Sequence, residues 1–351
     1  MSPGTAGLRT FEHDDHSMIN VGLIGLGPYW EKRYRPVLER FRSRIRVCAV
    51  YDPVASRAQH AAHELDAHCV TGISALLARS DVRAVLLLDN SWQGPEPFRM
   101  ILDQKKSAYI AGSLGEDVES IARRHLVGLS EGLTLMPEFS RRYTPATSRL
   151  QELMATQIGP PFRIRATTTL PGENSPAEVP GQSTPRDFLV GLIDWCRHII
   201  RLLPASVEMI LPDPESDPRI EKTLRIEFSR SRAGGESPAP TAELVIQKSE
   251  SAPGEPVPVP LPEFEVICAR GRARFTDPLE LSWVSNDAER VESLQSERSE
   301  VEVMLDHFCR RVVGGLIPVA DLADICGHLR LIESAERSLS VGRAVKVSPY
   351  N

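Results

Sequence analysis

The sequence predicts an α/β chain in which a doubly wound parallel sheet comes first and an α+β domain with an open antiparallel sheet follows. Three observations carry this. Apolar runs at residues 21–26, 47–51 and 84–88 alternate with segments of helical periodicity, and strands apolar on both faces need helices on both sides. After about residue 160 the alternation stops, and the strand-like runs FRIRATTTL, TLRIEFSRS, AELVIQKS and FEVICARGRARF are separated by Pro, Gly and Ser stretches, the last three without intervening helices. Finally, 351 residues, 41% hydrophobic and 25% charged, suffice for two domains that each bury a core.

The first unit, VGLIGLGPYWEKRYRPVLERFRSRIRVCAVYD at residues 21–52, holds the strongest local signal. An apolar strand ends on Gly25-Leu26-Gly27, a helical segment follows, and a second apolar strand closes on Asp52. Strand, glycines, helix, strand and acid in this order make the dinucleotide-binding half of a Rossmann-type sheet. Gly25 permits the tight turn, Gly27 lets the backbone approach a pyrophosphate at the helix start, and Asp52 meets the adenosine ribose hydroxyls. Asp52 favours NAD, whereas Arg57 leaves room for the extra phosphate of NADP. One departure is that Trp30 stands at the third glycine position.

The alternation continues with a helix at 53–65, a short strand near Cys69, a helix at 73–79 and the strand at 84–88. Helix 97–104 with strand 107–111, and helix 116–130 with strand 133–138, complete the first domain, set at residues 20–139 behind a loose, polar 1–19 tail. The second domain, 140–351, opens on a helix at about 145–156. Its strands are interrupted by SAPGEPVPVPLP at 251–262, too Pro-rich for a central strand and expected as an extended surface loop. Helices at 300–313 and 319–339 lead to a last short strand, AVKV.

Composition narrows the function. The net charge of −6 has no concentrated basic or acidic block behind it, so neither nucleic acid nor a membrane surface is expected as a partner. No apolar run reaches the roughly 20 residues a bilayer requires. The first residues lack an export signal, and the six scattered cysteines read as reduced core thiols, which together place the chain in the cytoplasm. The histidines and cysteine of QHAAHELDAHC at 59–69 fit an exposed helix face better than a metal site, so no metal is expected.

The order of elements from Val21 to about Val347 resembles the Gfo/Idh/MocA family of glucose-fructose oxidoreductase and inositol dehydrogenase. The resemblance rests on VGLIGLG with Asp52, DVRAVLLL, RRYTPA, DWCRH and the closing IPVADLADICGHLRLIESAERSLSVGRAV. It implies an NAD- or NADP-dependent oxidoreductase acting on a small polar substrate such as a sugar or cyclitol, with a second sheet that makes homo-oligomer contacts. The family's Glu-Lys-Pro motif falls on Ala111, Gly112 and Ser113, so the lysine is absent. Lys105 and Lys106 precede the strand and belong at its other end. The fourth strand ends in DNSWQGPEP where relatives carry a Thr-Pro-Asn turn. Ser113 remains as a hydrogen-bond donor near the nicotinamide, or as a cap for the next helix.

The helix TPRDFLVGLIDWCRHIIRLLP has Thr184 as N-cap, Pro185 in its first turn and Asp187 three residues after the cap. At about 100° per residue, Asp187, Gly191, Asp194, His198 and Arg201 form one narrow stripe on an otherwise apolar cylinder. That stripe is either a solvent face or the wall of a polar cavity. The resemblance implies that His198 exchanges a proton with the substrate and that Asp194 positions it. Arg142 and Tyr143, near the domain junction, are further candidates to reach a substrate. Two alternatives follow from the missing lysine: a nucleotide-binding homologue without turnover, serving as sensor or assembly subunit, and a hydrolase or lyase using held NAD for transient oxidation.

Overall fold

The computed structural model describes residues 18–347 apart from 116, 171–183, 214, 216, 231–237, 249–260, 287 and 296–297. Nearly all of the 1–19 tail and most of the Pro-rich 251–262 loop lie outside the described residues. The first half runs β1 (Ile19–Ile24), α1 (Arg35–Arg40), β2 (Ile45–Tyr51), α2 (Ala55–Glu64), β3 (His68–Cys69), α3 (Ile73–Leu77), β4 (Ala84–Leu87), α4 (Glu96–Asp103), β5 (Ser107–Ile110), α5 (Val118–Ser130) and β6 (Leu135–Pro137). Its strands form a parallel sheet in the order β3-β2-β1-β4-β5-β6. Strand order reverses between β1 and β4, which opens a crevice at their C-terminal ends. The β1 and β4 side chains Val21, Leu23, Ile24, Val85, Leu86 and Leu87 are inaccessible to solvent, as strands covered on both faces must be.

Trp30 at the third glycine position is accommodated by a wider turn. The chain enters α1 through a π-helical turn, Trp30–Tyr34, that buries both aromatic residues against the sheet. Lys106 donates to the carbonyls of Arg79 and Val82, just before β4, which places it at the N-terminal end of the sheet as the sequence implied.

The second half comprises α6 (Pro145–Leu153), β7 (Pro161–Thr169), α7 (Pro185–Ile200), β8 (Pro204–Ile210), β9 (Ile220–Phe228), β10 (Thr241–Gln247), β11 (Glu263–Cys268), β12 (Gly271–Phe275), β13 (Glu280–Ser285), β14 (Ala288–Ser293), α8 (Glu300–Val312), α9 (Leu322–Val341) and β15 (Val345–Lys346). Its sheet has the order β14-β13-β12-β11-β7-β10-β9-β8-β15. The sheet is mixed, not wholly antiparallel: β7 and β10 pair in parallel. The cause is α7, which crosses from the end of β7 to the start of β8 before the antiparallel β8-β9-β10 meander returns beside β7. On the inner face Trp195 of α7 packs 4.2 Å from the Phe264 ring, and its indole N–H donates to the Thr147 hydroxyl at 2.9 Å. The outer face carries ion pairs, among them Arg163 and Arg225 with Glu243.

The two halves are not closed units. The face of the parallel sheet that carries Tyr109 is completed by α8, whose Val301, Met304, Leu305 and Phe308 join the core of the first sheet, with Phe308 edge-on to Tyr109 at 5.9 Å. Ser299 and Glu302 cap α8 reciprocally. Arg33 pairs with Glu300 at 2.5 Å and Arg44 with Asp306, which fixes α8 on the sheet. Packing thus runs across residue 139, from α8 to the first sheet.

Candidate functional site

The crevice is built from the C-terminal ends of β1, β2, β4, β5 and β6. At β1, Gly25 and Gly27 both adopt left-handed backbone, φ +70° and +63°, which side chains rarely tolerate. The Leu26 N–H donates to Asp52 Oδ2 at 2.9 Å. Oδ1 of the same carboxylate accepts from the Val54 N–H at 2.8 Å and from Arg57 Nε at 3.1 Å. Asp52 is buried, and the Arg57 side chain is about half exposed. Beside it the rings of Tyr51 and Trp92 stack at 6.2 Å, and the Trp92 indole N–H is buried without a partner among the described residues. An unpaired buried donor costs about 1–3 kcal/mol. Tyr51 is the last residue of β2, so the Trp92 indole and the Asp52 carboxylate stand at the same end of the crevice.

From the glycine turn the contacts run along the sheet edge. Asp89, two residues past the end of β4, lies against Gly25 and Gly27. The next residue, Asn90, is buried and donates to the carbonyls of Gly94 at 2.6 Å and Ser113 at 2.8 Å. A Cβ added to Gly112 would stand 2.0 Å from Asn90 Oδ1. Any side chain at Gly112 would therefore meet the Asn90 side chain. Asp89 and Asn90 were missed by sequence reasoning, although the altered DNSWQGPEP turn marked the segment that holds them.

A cavity of about 340 Å³ opens next to Gly112, lined among others by Ser113, Glu138, Thr184, Asp187 and Gly191. Small-ligand sites have about this size. Ser113 Oγ donates to Asp187 Oδ2 at 2.8 Å and accepts from the Gly115 N–H at 3.1 Å. Thr184 Oγ1 donates to the same Asp187 oxygen at 2.7 Å and accepts the Asp187 N–H at 3.1 Å, so the helix cap and the cavity wall are one structure. Burial raises the Asp187 carboxyl above its ordinary value, against the lowering effect of its Thr184 and Ser113 hydrogen bonds. Glu138 accepts from the Tyr109 hydroxyl at 2.5 Å, the Tyr34 hydroxyl at 2.9 Å and Arg33 at 2.5 Å. These donors hold it at the cavity wall.

The α7 stripe divides in two. Asp187 and Gly191 line the cavity, so this end of the stripe is a cavity wall, not a solvent face. Asp194 is buried and does not position His198: Arg142 grips it through both oxygens, with Nε to Oδ2 at 2.7 Å. Arg142 also reaches Asp324 of α9 at 3.2 Å, while Arg197 donates to His328 Nε2 at 2.8 Å. The i,i+4 spacing brings Asp194 and His198 to one side of the helix, but a bidentate guanidinium outcompetes a neutral imidazole for a buried carboxylate. His198 Nε2 instead lies 2.8 Å from Gln151 Nε2, which makes the ring nitrogen the acceptor. Burial, reinforced by Arg142, pushes the imidazole down to about 4. Arg142 is a partly buried clamp between α7 and α9, and Tyr143 stacks edge-on against His307 at 5.5 Å.

Residues 19–110 match the family model for the Gfo/Idh/MocA oxidoreductases with an NAD-binding Rossmann fold. No curated protein matches the sequence. Solved structures share the fold over most of the chain. UDP-N-acetylglucosamine 3-dehydrogenase GnnA from Acidithiobacillus ferrooxidans is 17% identical, with TM-score 0.66 over 92% of this chain and 98% of that one. Levoglucosan dehydrogenase, solved with NADH and levoglucosan, is 14% identical, with TM-score 0.71 over 94% and 100%. A variant of KijD10, a 3-ketoreductase from Actinomadura kijaniata solved with TDP-benzene and NADP, is 19% identical, with TM-score 0.69 over 92% and 98%.

Proposed function

We propose that this chain, whose first domain is an NAD-binding Rossmann domain of the Gfo/Idh/MocA type, is an NAD(P)-dependent oxidoreductase acting on a small hydroxylated substrate. The observation that carries the reading is the continuous path of contacts from the glycine turn to a cavity that holds a hydrogen-bonded Ser113–Asp187 pair. The similar proteins solved with NADH and levoglucosan or with NADP support it. A bound nicotinamide dinucleotide supplies the two-electron acceptor. Everything else is the work of the chain's own side chains.

Ser113 Oγ has its hydrogen directed at Asp187 and accepts from Gly115, which leaves it a lone pair for a substrate hydroxyl. A proton leaving that hydroxyl passes to Ser113 Oγ as the serine hydrogen passes to Asp187 Oδ2. Burial increases the proton affinity of Asp187, which suits a general base better than an ordinary surface carboxylate. Asp194 and His198 stand behind the cavity, where the Arg142 clamp fixes α7 and thereby Asp187. Carboxylates at 138 and 187 accept hydroxyls and repel acids, so the substrate is a neutral polyol or sugar. NAD is favoured over NADP, since Asp52 occupies the ribose end. The open, ion-paired outer face of the second sheet is the surface for a homo-oligomer, and the cytoplasm, where thiols stay reduced, is the compartment for its free cysteines.

Asp187→Asn keeps an acceptor for Ser113 but removes the base. It is expected to lower kcat on an accepted polyol by roughly 10²-fold or more, with NADH affinity within a factor of about two. Unchanged kcat would move the proton to another group. A second reading, dinucleotide binding without turnover, is favoured by the Gly112 slot, which Asn90 closes to any lysine. It is distinguished by NADH binding in a protein that turns over no polyol.

A further inference from the structure

The two glycines of the turn share one neighbour. A Cβ at Gly25 would stand 1.9 Å from the Asp89 carbonyl oxygen, and one at Gly27 would stand 2.7 Å from the Asp89 Cβ and 3.0 Å from its Oδ2. The space left open by the missing Gly27 side chain, which in such turns admits a pyrophosphate, is thus occupied by a carboxylate. Asp89 is partly buried, its Oδ1 accepts from the Ser91 N–H at 3.0 Å, and no cation pairs with it among the described residues. Two of the turn's N–H groups are already engaged. The Gly25 N–H goes to the Tyr51 carbonyl at 2.9 Å, the Leu26 N–H goes to Asp52, and Pro28 has none.

From this geometry we infer that Asp89 is a resident anion in the pyrophosphate-binding turn, one that sets dinucleotide affinity low and makes it depend on how well its charge is screened. The inference rests on the dinucleotide reading above. A pyrophosphate and a fixed carboxylate a few ångströms apart repel each other, and the repulsion weakens as the Debye length falls from about 20 Å in dilute salt to about 6 Å near 0.3 M. Most dinucleotide sites, built on cations and N–H groups, loosen as salt rises. This one tightens.

The test is calorimetric titration of the full chain with NADH at 20 and 300 mM NaCl, for the unaltered protein, Asp89→Asn and Glu280→Gln. Asp89→Asn keeps an acceptor for Ser91, and Glu280→Gln, at the exposed start of β13 in the other sheet, matches the change in net charge. Asp89→Asn is expected to bind NADH at least ten-fold tighter at 20 mM salt and to lose the tightening with salt. Glu280→Gln should behave as the unaltered protein. Equal affinity of the Asp89→Asn and unaltered proteins would overturn the inference by placing the carboxylate off the phosphate path. Weaker binding by Asp89→Asn would overturn it too, and would make Asp89 an acceptor for ribose hydroxyls. Adenosine, which carries no phosphate, is titrated in parallel by saturation-transfer NMR. If adenosine binds both proteins alike and NADH fails to tighten, only the role of Asp89 falls. If neither ligand binds either protein, the dinucleotide reading falls with it.

Discussion

At the scale of single residues the site is defined by what replaces a side chain as much as by what is present. The resemblance set Gly112 at the family lysine's position, but the neighbour that makes glycine necessary was not legible, because Asn90 follows a different strand. Adding even one methyl here meets Asn90 Oδ1 at 2.0 Å. Asn90 cannot retreat without releasing the Gly94 and Ser113 carbonyls. Gly112→Ala is therefore expected to lower stability by about 1–3 kcal/mol, read as a shift in the urea midpoint at unchanged slope, and Gly112→Lys in an Ala111→Glu background to abolish native turnover. A silent Gly112→Ala would show that the β4 turn yields easily. Ser113 and Asp187 were both visible in the sequence, one as a possible donor and one as a capping residue. Their hydrogen bond was not, since it joins residues 74 apart.

At the scale of elements, helix periodicity identified the polar stripe on α7 and its N-cap, but α7 ends at Ile200, so Arg201, in left-handed backbone at the C-cap, lies outside the helix. Periodicity did not identify partners. Asp194 and His198 are one turn apart, yet Arg142 from the turn after β6 takes the first and Gln151 of α6 takes the second. Burial, reinforced by Arg142, holds the His198 imidazole well below its ordinary value. Its folded value of about 4 lies below the 6.5 of the unfolded chain, so the unfolded state binds the extra proton and the native state is penalised as pH falls. The stability in question is fully present above pH 6.5 and is lost between 6.5 and about 4, amounting to roughly 3 kcal/mol from this one group. Denaturation midpoints at pH 7.5 and 4.5 measure it. His198→Gln should shrink the difference between them, and an equal difference in both proteins would assign the pH dependence to other groups, His328 foremost, which burial also depresses.

At the scale of the molecule, the alternation of apolar strands and helices marked the first, parallel sheet, and its end marked the change to a second sheet, because each strand's burial is written into its own residues. The parallel pairing of β7 and β10, and the docking of α8 on the first sheet, were not readable. Both depend on contacts between segments far apart in sequence, and an amphipathic helix does not announce which sheet it covers. Residues 18–139 alone would expose the face that Val301, Met304, Leu305 and Phe308 now bury. That fragment is expected to aggregate or to lack near-ultraviolet circular dichroism. A monomeric, fully ordered fragment would mean that α8 is dispensable to the first domain.

The most direct measurement is a crystal structure of the full chain grown with saturating NADH. The account requires the adenosine between Asp52 and Trp92, the pyrophosphate at the turn of Gly25 and Gly27, and the nicotinamide end at the cavity beside Ser113 and Asp187. An ordered dinucleotide whose nicotinamide end lies away from that cavity, or one bound at another edge of the sheet, would contradict it.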